Sequence, residues 1–144
     1  MGETGGRGAV FDSNVSFDAR TILLVERNGR LRSSISAMLA VKRYNVLEAS
    51  TAEECFLTLE AKRPHIVLIG SNFAGHEAVS LAKTIKNSPR HRFTPVLLIT
   101  SEDMTGRVEP VQRAADWKQA GITAWIKEPF IPEQLLRIIE MVTF

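Results

Sequence analysis

The chain has 144 residues, 44% of them hydrophobic and 24% charged, which suits one domain with a proper core and leaves little room for a second. Lys and Arg number 18 against 16 Asp and Glu, a net charge of +2 too even to point to nucleic acid or an anionic membrane, and neither is expected as a partner. A lone cysteine, Cys55, excludes an intrachain disulfide and a cysteine-cluster metal site. Together with the lack of any apolar run of membrane-spanning length or signal-peptide core, that makes a cytoplasmic protein the expectation.

Residues 1–19 are rich in Gly, Ser and Asp without periodicity and read as a flexible N-terminal arm, in which Phe11, Val15 and Phe17 are apolar enough to dock. The folded domain is expected over residues 20–144. Thr21 to Glu26 is an apolar run that reads as the first strand, followed by a helix over about Arg30 to Lys42. Leu31, Ile35, Met38 and Leu39 make the buried stripe of that helix, while Arg30, Arg32, Ser33 and Ser36 face water. Tyr44 to Ala49 is a shorter strand, with Val46 and Leu47 apolar and Asn45 and Glu48 polar, and is expected at the sheet edge. Thr51-Ala52-Glu53-Glu54 has the capping-box pattern and opens a helix to about Lys62, whose apolar face holds Cys55, Phe56 and Leu59.

Pro64-His65-Ile66-Val67-Leu68-Ile69-Gly70 is the most informative stretch. A short unbroken aliphatic run started by proline and stopped by glycine is expected of a strand buried on both faces, at the centre of a parallel sheet. A helix over His76 to Asn87, a fully apolar strand over Thr94 to Thr100 and a polar segment over Ser101 to Pro110 come next. A helix over Pro110 to Gln119 with Gly121 beyond its end, a strand over Ile122 to Lys127 and a helix over Ile131 to Val142 complete the chain. Five strands alternating with five helices predict an α/β domain. Its form is a flavodoxin-like three-layer αβα sandwich whose five-stranded parallel sheet has the order 2-1-3-4-5. No turn carries the dinucleotide glycine fingerprint or a Walker lysine loop.

In such sheets ligands collect at the carboxyl ends of the strands, which places Gly70 at the expected site without a side chain to do chemistry. Leu23-Leu24-Val25-Glu26-Arg27, Pro64 to Gly70, Pro95 to Thr100 and Trp125-Ile126-Lys127-Glu128-Pro129-Phe130 together resemble the receiver domain of bacterial response regulators, over about Thr21 to Val142. The resemblance implies two acidic residues holding a divalent cation, a phosphoacceptor aspartate, a hydroxyl residue and a lysine. Those positions align with Glu26 and Arg27, with Gly70, with Thr100 and with Glu128. Only the hydroxyl matches, with Glu26 a partial match on a longer arm. Gly70 offers no carboxylate to phosphorylate, and Arg27 in place of a carboxylate repels Mg²⁺.

The expected domain is therefore a degenerate pseudo-receiver, not an enzyme, without catalytic residue, cofactor or metal, acting in two-component phosphorelay signalling through protein-protein interaction. Its interaction surface is expected around Trp125, Lys127, Pro129 and Phe130, on the last helix-strand-helix face, which would meet a signalling protein or a second copy of the domain. In receivers an aromatic on the fifth strand moves with the hydroxyl on the fourth; Trp125 and Thr100 align with these. Arg27 is expected to pair with Glu128 across the crevice. The rival reading is a small-ligand or anion binder using Arg27, Asn28, Asn72 and the helix N-termini.

Overall fold

The structure is a computed structural model and describes residues 20–73, 75–101 and 108–143. The expected arm over residues 1–19 and most of the polar segment over 101–110 lie outside the described residues. Apolar runs extend as β1 (Thr21–Val25), β2 (Asn45–Ala49), β3 (Ile66–Ile69), β4 (Val96–Thr100) and β5 (Ala124–Lys127). The helices between and after them are α1 (Gly29–Val41), α2 (Ala52–Ala61), α3 (Gly75–Asn87), α4 (Val108–Ala120) and α5 (Pro132–Thr143). All pairings are parallel and the sheet order is β2-β1-β3-β4-β5, as the alternation predicts. β3 is the central strand and is wholly buried; β2 and β5 are the edges.

Side chains alternate across each strand, so one apolar run serves two layers. Leu23, Val25, Val67, Ile69, Val96 and Leu98 face α2, α3 and α4, where Cys55, Leu81, Ile85 and Trp117 meet them. Ile22, Leu24, Ile66, Leu68, Leu97 and Ile99 face α1 and α5, against Ile35, Leu39, Leu135 and Ile139. Burial of both faces is what makes the runs unbroken.

The helix ends follow local chemistry. Asn28 Oδ1 accepts from Leu31 N at 2.9 Å and starts α1. Thr51 Oγ1 accepts from Glu54 N at 3.0 Å, and the Glu54 carboxylate reaches back one residue beyond the box, to Ser50 N at 2.7 Å. Those bonds from Ser50 hold the Glu54 carboxyl below its ordinary pKa. Gly121, at φ +96°, closes α4 in a left-handed turn, with Ile122 N donating to Trp117 O at 2.9 Å.

Some expectations need correction. Glu26 and Tyr44 lie outside their strands, and α4 begins at Val108, two residues before Pro110. Arg32 and Ser36 are half-buried instead of facing water. Arg32 leans over the end of β1, donating from Nη1 to Glu26 O at 2.8 Å and from Nε to Glu48 at 3.1 Å.

Candidate functional site

The carboxyl ends of β1, β3, β4 and β5 open on one crevice, and its floor is Glu26 beside Gly70. Glu26 is fully buried, its backbone N–H donating to Ala49 O at 2.9 Å. Its Oε2 accepts from Asn28 N at 2.6 Å and from Asn72 Nδ2 at 2.8 Å. Its Oε1 is buried with no hydrogen-bond partner among the described residues. That oxygen occupies the space a side chain at Gly70 would need. A Cβ built on Gly70 would overlap Oε1, lie 2.7 Å from Cδ and lie 3.0 Å from Cβ of Glu26.

The longer arm of glutamate and the missing side chain of glycine therefore form one arrangement. Gly70 is not in the left-handed region, which among the described glycines only Gly121 occupies. Space, and not backbone freedom, is what its glycine provides.

Arg27 does not meet Glu128. Its guanidinium forms a two-pronged pair with Glu77 on the first turn of α3, Nη2 to Oε2 at 3.0 Å and Nη1 to Oε1 at 3.4 Å, and Nη1 donates to Asn72 O at 3.4 Å. It lies 4.5 Å over the ring of Phe73, a buried side chain in the β3–α3 turn. The hydrogen bond to Glu77 is the main reason its pKa rises above the ordinary value. The expected Arg27–Glu128 bridge is thus replaced, because Glu77 and the Phe73 ring lie where the turn after β1 sends the side chain. Spacing alone assigns neither Glu77 nor Phe73 to the site, and an aromatic just before a helix bearing a first-turn acid is the signal that points to them.

Thr100 is buried at the end of β4 and pairs in register with Lys127. Glu128 N donates to Thr100 O at 2.8 Å, and the Glu128–Pro129 peptide is cis. The Glu128 side chain is half-buried and makes no ion pair with a described residue. Lys127 is exposed, its Nζ donating to Glu128 O at 3.2 Å. Trp125 is half-buried, edge-on to Trp117 with ring centroids 5.1 Å apart at 71°. Phe130 is half-buried against the α1/α5 layer and Pro129 is exposed. The site residues thus share one end of the sheet. Glu26 with Gly70 and Arg27 with Glu77 are joined through Asn72, and Thr100 with the Lys127–Glu128 segment is a separate contact.

The groups proposed for anion binding are already engaged: Arg27 by Glu77, Asn28 by the α1 turn, Asn72 by Glu26. A divalent cation, which the resemblance implies, does not fit these residues either. Arg27 and Gly70 supply no side-chain oxygen, and one Glu26 oxygen is used while the other is enclosed against Gly70. Among the described residues no three His, Cys, Asp or Glu gather as a metal site. Cys55 is enclosed in the α2 layer, and burial pushes its thiol up to about 12.

No family model matches the chain. The phosphate regulon transcriptional regulatory protein PhoB of Pseudomonas aeruginosa is 22% identical over 124 residues, which are 85% of this chain and 51% of that protein. This chain therefore spans about half the length of PhoB. The chemotaxis protein CheY1 of Helicobacter pylori is 28% identical over 123 residues, 84% of this chain and 94% of CheY1. Among solved structures, the chemotaxis response regulator CheY4 of Vibrio cholerae superposes with a TM-score of 0.75 at 24% identity, covering 86% of this chain and 98% of that one.

Proposed function

We propose that this chain, a response regulator receiver domain by its relatives and its fold, is a pseudo-receiver that has given up phosphorylation and signals by binding protein. One observation carries the reading: the Glu26 carboxylate stands in the space of an acceptor side chain, and the acceptor position is Gly70. An acyl phosphate needs a carboxylate with an open path for the donor. Here the carboxylate present is fully buried and anchored through Asn28 and Asn72.

The test is incubation with acetyl phosphate and Mg²⁺, followed by intact mass and a phosphate-affinity gel. The parent chain is expected to gain nothing. A stoichiometric, hydroxylamine-labile phosphoryl group on a crevice carboxylate would overturn the reading.

The binding surface of this reading is the α4-β5-α5 face. Support comes from β5, an edge strand whose residues are half-buried or exposed where β1, β3 and β4 are almost wholly buried. Lys127 and Pro129 are exposed on it, and Trp125 and Phe130 are half-buried. Trp125 packed on Trp117 suits a face held in one state, since no phosphate is there to switch it. A homodimer on this face predicts that Lys127→Glu lowers the sedimentation coefficient toward that of a monomer. A parent that sediments as a monomer would remove self-pairing and leave a different signalling protein as the partner.

A further inference from the structure

The near-balance of charge along the chain hides a separation in space. Helices that follow parallel strands all return to the amino ends of the strands, so one end of the domain gathers the uncharged loop leading into β5 and the loops leading into β2, β3 and β4. Those loops carry Lys42 and Arg43, Lys62 and Arg63, and Arg90 and Arg92, all exposed, and no carboxylate. Among the described residues none of the six is in an ion pair. The carboxylates nearest this end, Glu60 and Glu140, sit in the last turns of α2 and α5, close enough to act on His91 and Tyr44, and are outnumbered by the six cations.

Apolar side chains are exposed at the same end. Of the large hydrophobic residues in the described chain the three most exposed are Phe93 at 86%, Val41 at 77% and Met141 at 72%. Val41 is the last residue of α1 and Met141 lies in the last turn of α5, while Phe93 is in the loop before β4. That loop is built to hold Phe93 out. Lys86 Nζ donates inward to the carbonyls of Arg92 and Thr94, and the His91 side chain is buried. His91 N donates to Ser88 O at 3.0 Å and Thr94 N to His91 O at 3.1 Å. The Arg92 guanidinium lies 5.9 Å over the Phe93 ring, so the loop presents an aromatic side chain and its cation together to solvent.

We infer that this end docks on an anionic lipid surface, with the cations over the headgroups and Phe93, Val41 and Met141 in the interface. Adjacent strands lie about 4.8 Å apart, so the three loops lay a row of cations over roughly 10–15 Å. A row of that kind also suits a nucleic acid strand, but a nucleic acid has no use for Val41 and Met141, which end helices on the face of the sheet opposite α3, the helix before the Phe93 loop. A bilayer meets both sides at once and takes apolar and basic groups together. Complementing helix carboxyl termini explains some of the cations and none of the exposed apolar side chains.

The test is flotation of the full chain with vesicles of phosphatidylcholine alone and of phosphatidylcholine with phosphatidylglycerol in equal parts. A single-stranded oligonucleotide is titrated in parallel. Retention is expected only on the anionic vesicles, falling as salt rises. Each cation that reaches the surface contributes about fivefold, so Arg90→Gln with Arg92→Gln lowers partitioning by up to about 25-fold. Phe93→Ser lowers it by about tenfold or more, and because that side chain is almost wholly exposed the variant keeps the fold. Arg30→Gln, at the opposite end on the first turn of α1, is expected to change nothing. Equal retention on both vesicle types would overturn the inference. So would full retention in either the arginine pair or Phe93→Ser, or binding of the oligonucleotide without binding of vesicles.

Discussion

Gly70→Ala is the perturbation that tests the floor of the crevice. The backbone at Gly70 is not in the left-handed region, so alanine is sterically allowed there but for one neighbour. The added methyl lies 2.7 Å from Glu26 Cδ and overlaps Oε1, while Asn28 and Asn72 hold Oε2 against retreat. Overpacking of this kind costs about 1–3 kcal/mol. The stiffer unfolded chain of alanine offsets about 0.4–1 kcal/mol of that. In a Glu26→Ala background the obstacle is gone, and Gly70→Ala is expected to be neutral or slightly stabilising. Glu26→Ala has its own cost, about 1–3 kcal/mol for unpaired groups at Asn28 and Asn72, but it appears on both legs of the cycle and cancels. The expected coupling is thus about 1–3 kcal/mol, read from urea unfolding followed by the fluorescence of Trp117 and Trp125. Additivity within about 0.5 kcal/mol would refute the claim that the two residues share one space. Gly70→Asp, which restores an acceptor-like carboxylate, adds a second buried charge against the first and is expected to destabilise more than alanine.

Three further outcomes follow from the same contacts. Arg27→Ala and Glu77→Ala are expected to be non-additive in a melting cycle, whereas Arg27→Ala and Glu128→Ala add; the reverse pattern would restore the crevice bridge. Cys55, its thiol pushed up to about 12 by burial, is expected to resist Ellman's reagent at mildly alkaline pH in the native chain and to react in urea. Native-state labelling at the unfolded rate would contradict that. Burial, with Arg90 and Arg63 nearby, lowers the pKa of His91 below its ordinary 6.5. The unfolded chain then binds the proton more readily, so the His91 contribution is fully present above pH 6.5 and is lost as pH falls toward the depressed folded value. Urea midpoints measured through that window should fall with acidification in the parent and fall less in His91→Gln.

Much of the fold is a local matter and was legible along the chain. Ile66 to Ile69 had to be a central strand, because four consecutive apolar residues between Pro64 and Gly70 can be buried only where both faces of a sheet are covered. Asn28 could be read only as a crevice residue, and its capping of α1 had to be seen; Thr51 and Gly121 announced their turns, since capping depends on residues three or four apart. The lack of an acceptor at Gly70 was equally plain, because a missing side chain needs no geometry to be missed.

Contacts between residues far apart in the chain were a different matter. Arg27 had two carboxylates within plausible reach, and whether Glu77 or Glu128 received it depended on the turn after β1 and on the ring of Phe73 beneath the guanidinium. That Glu26 fills the hollow beside Gly70 depends on a side-chain path across two strands, which no spacing encodes. The charges show the gap most clearly. Eighteen cations against 16 anions say almost nothing in one dimension. Winding every helix back to the same end of a parallel sheet brings the cations of three loops together, and only the tertiary structure decides that, because it alone sets which loops share an end.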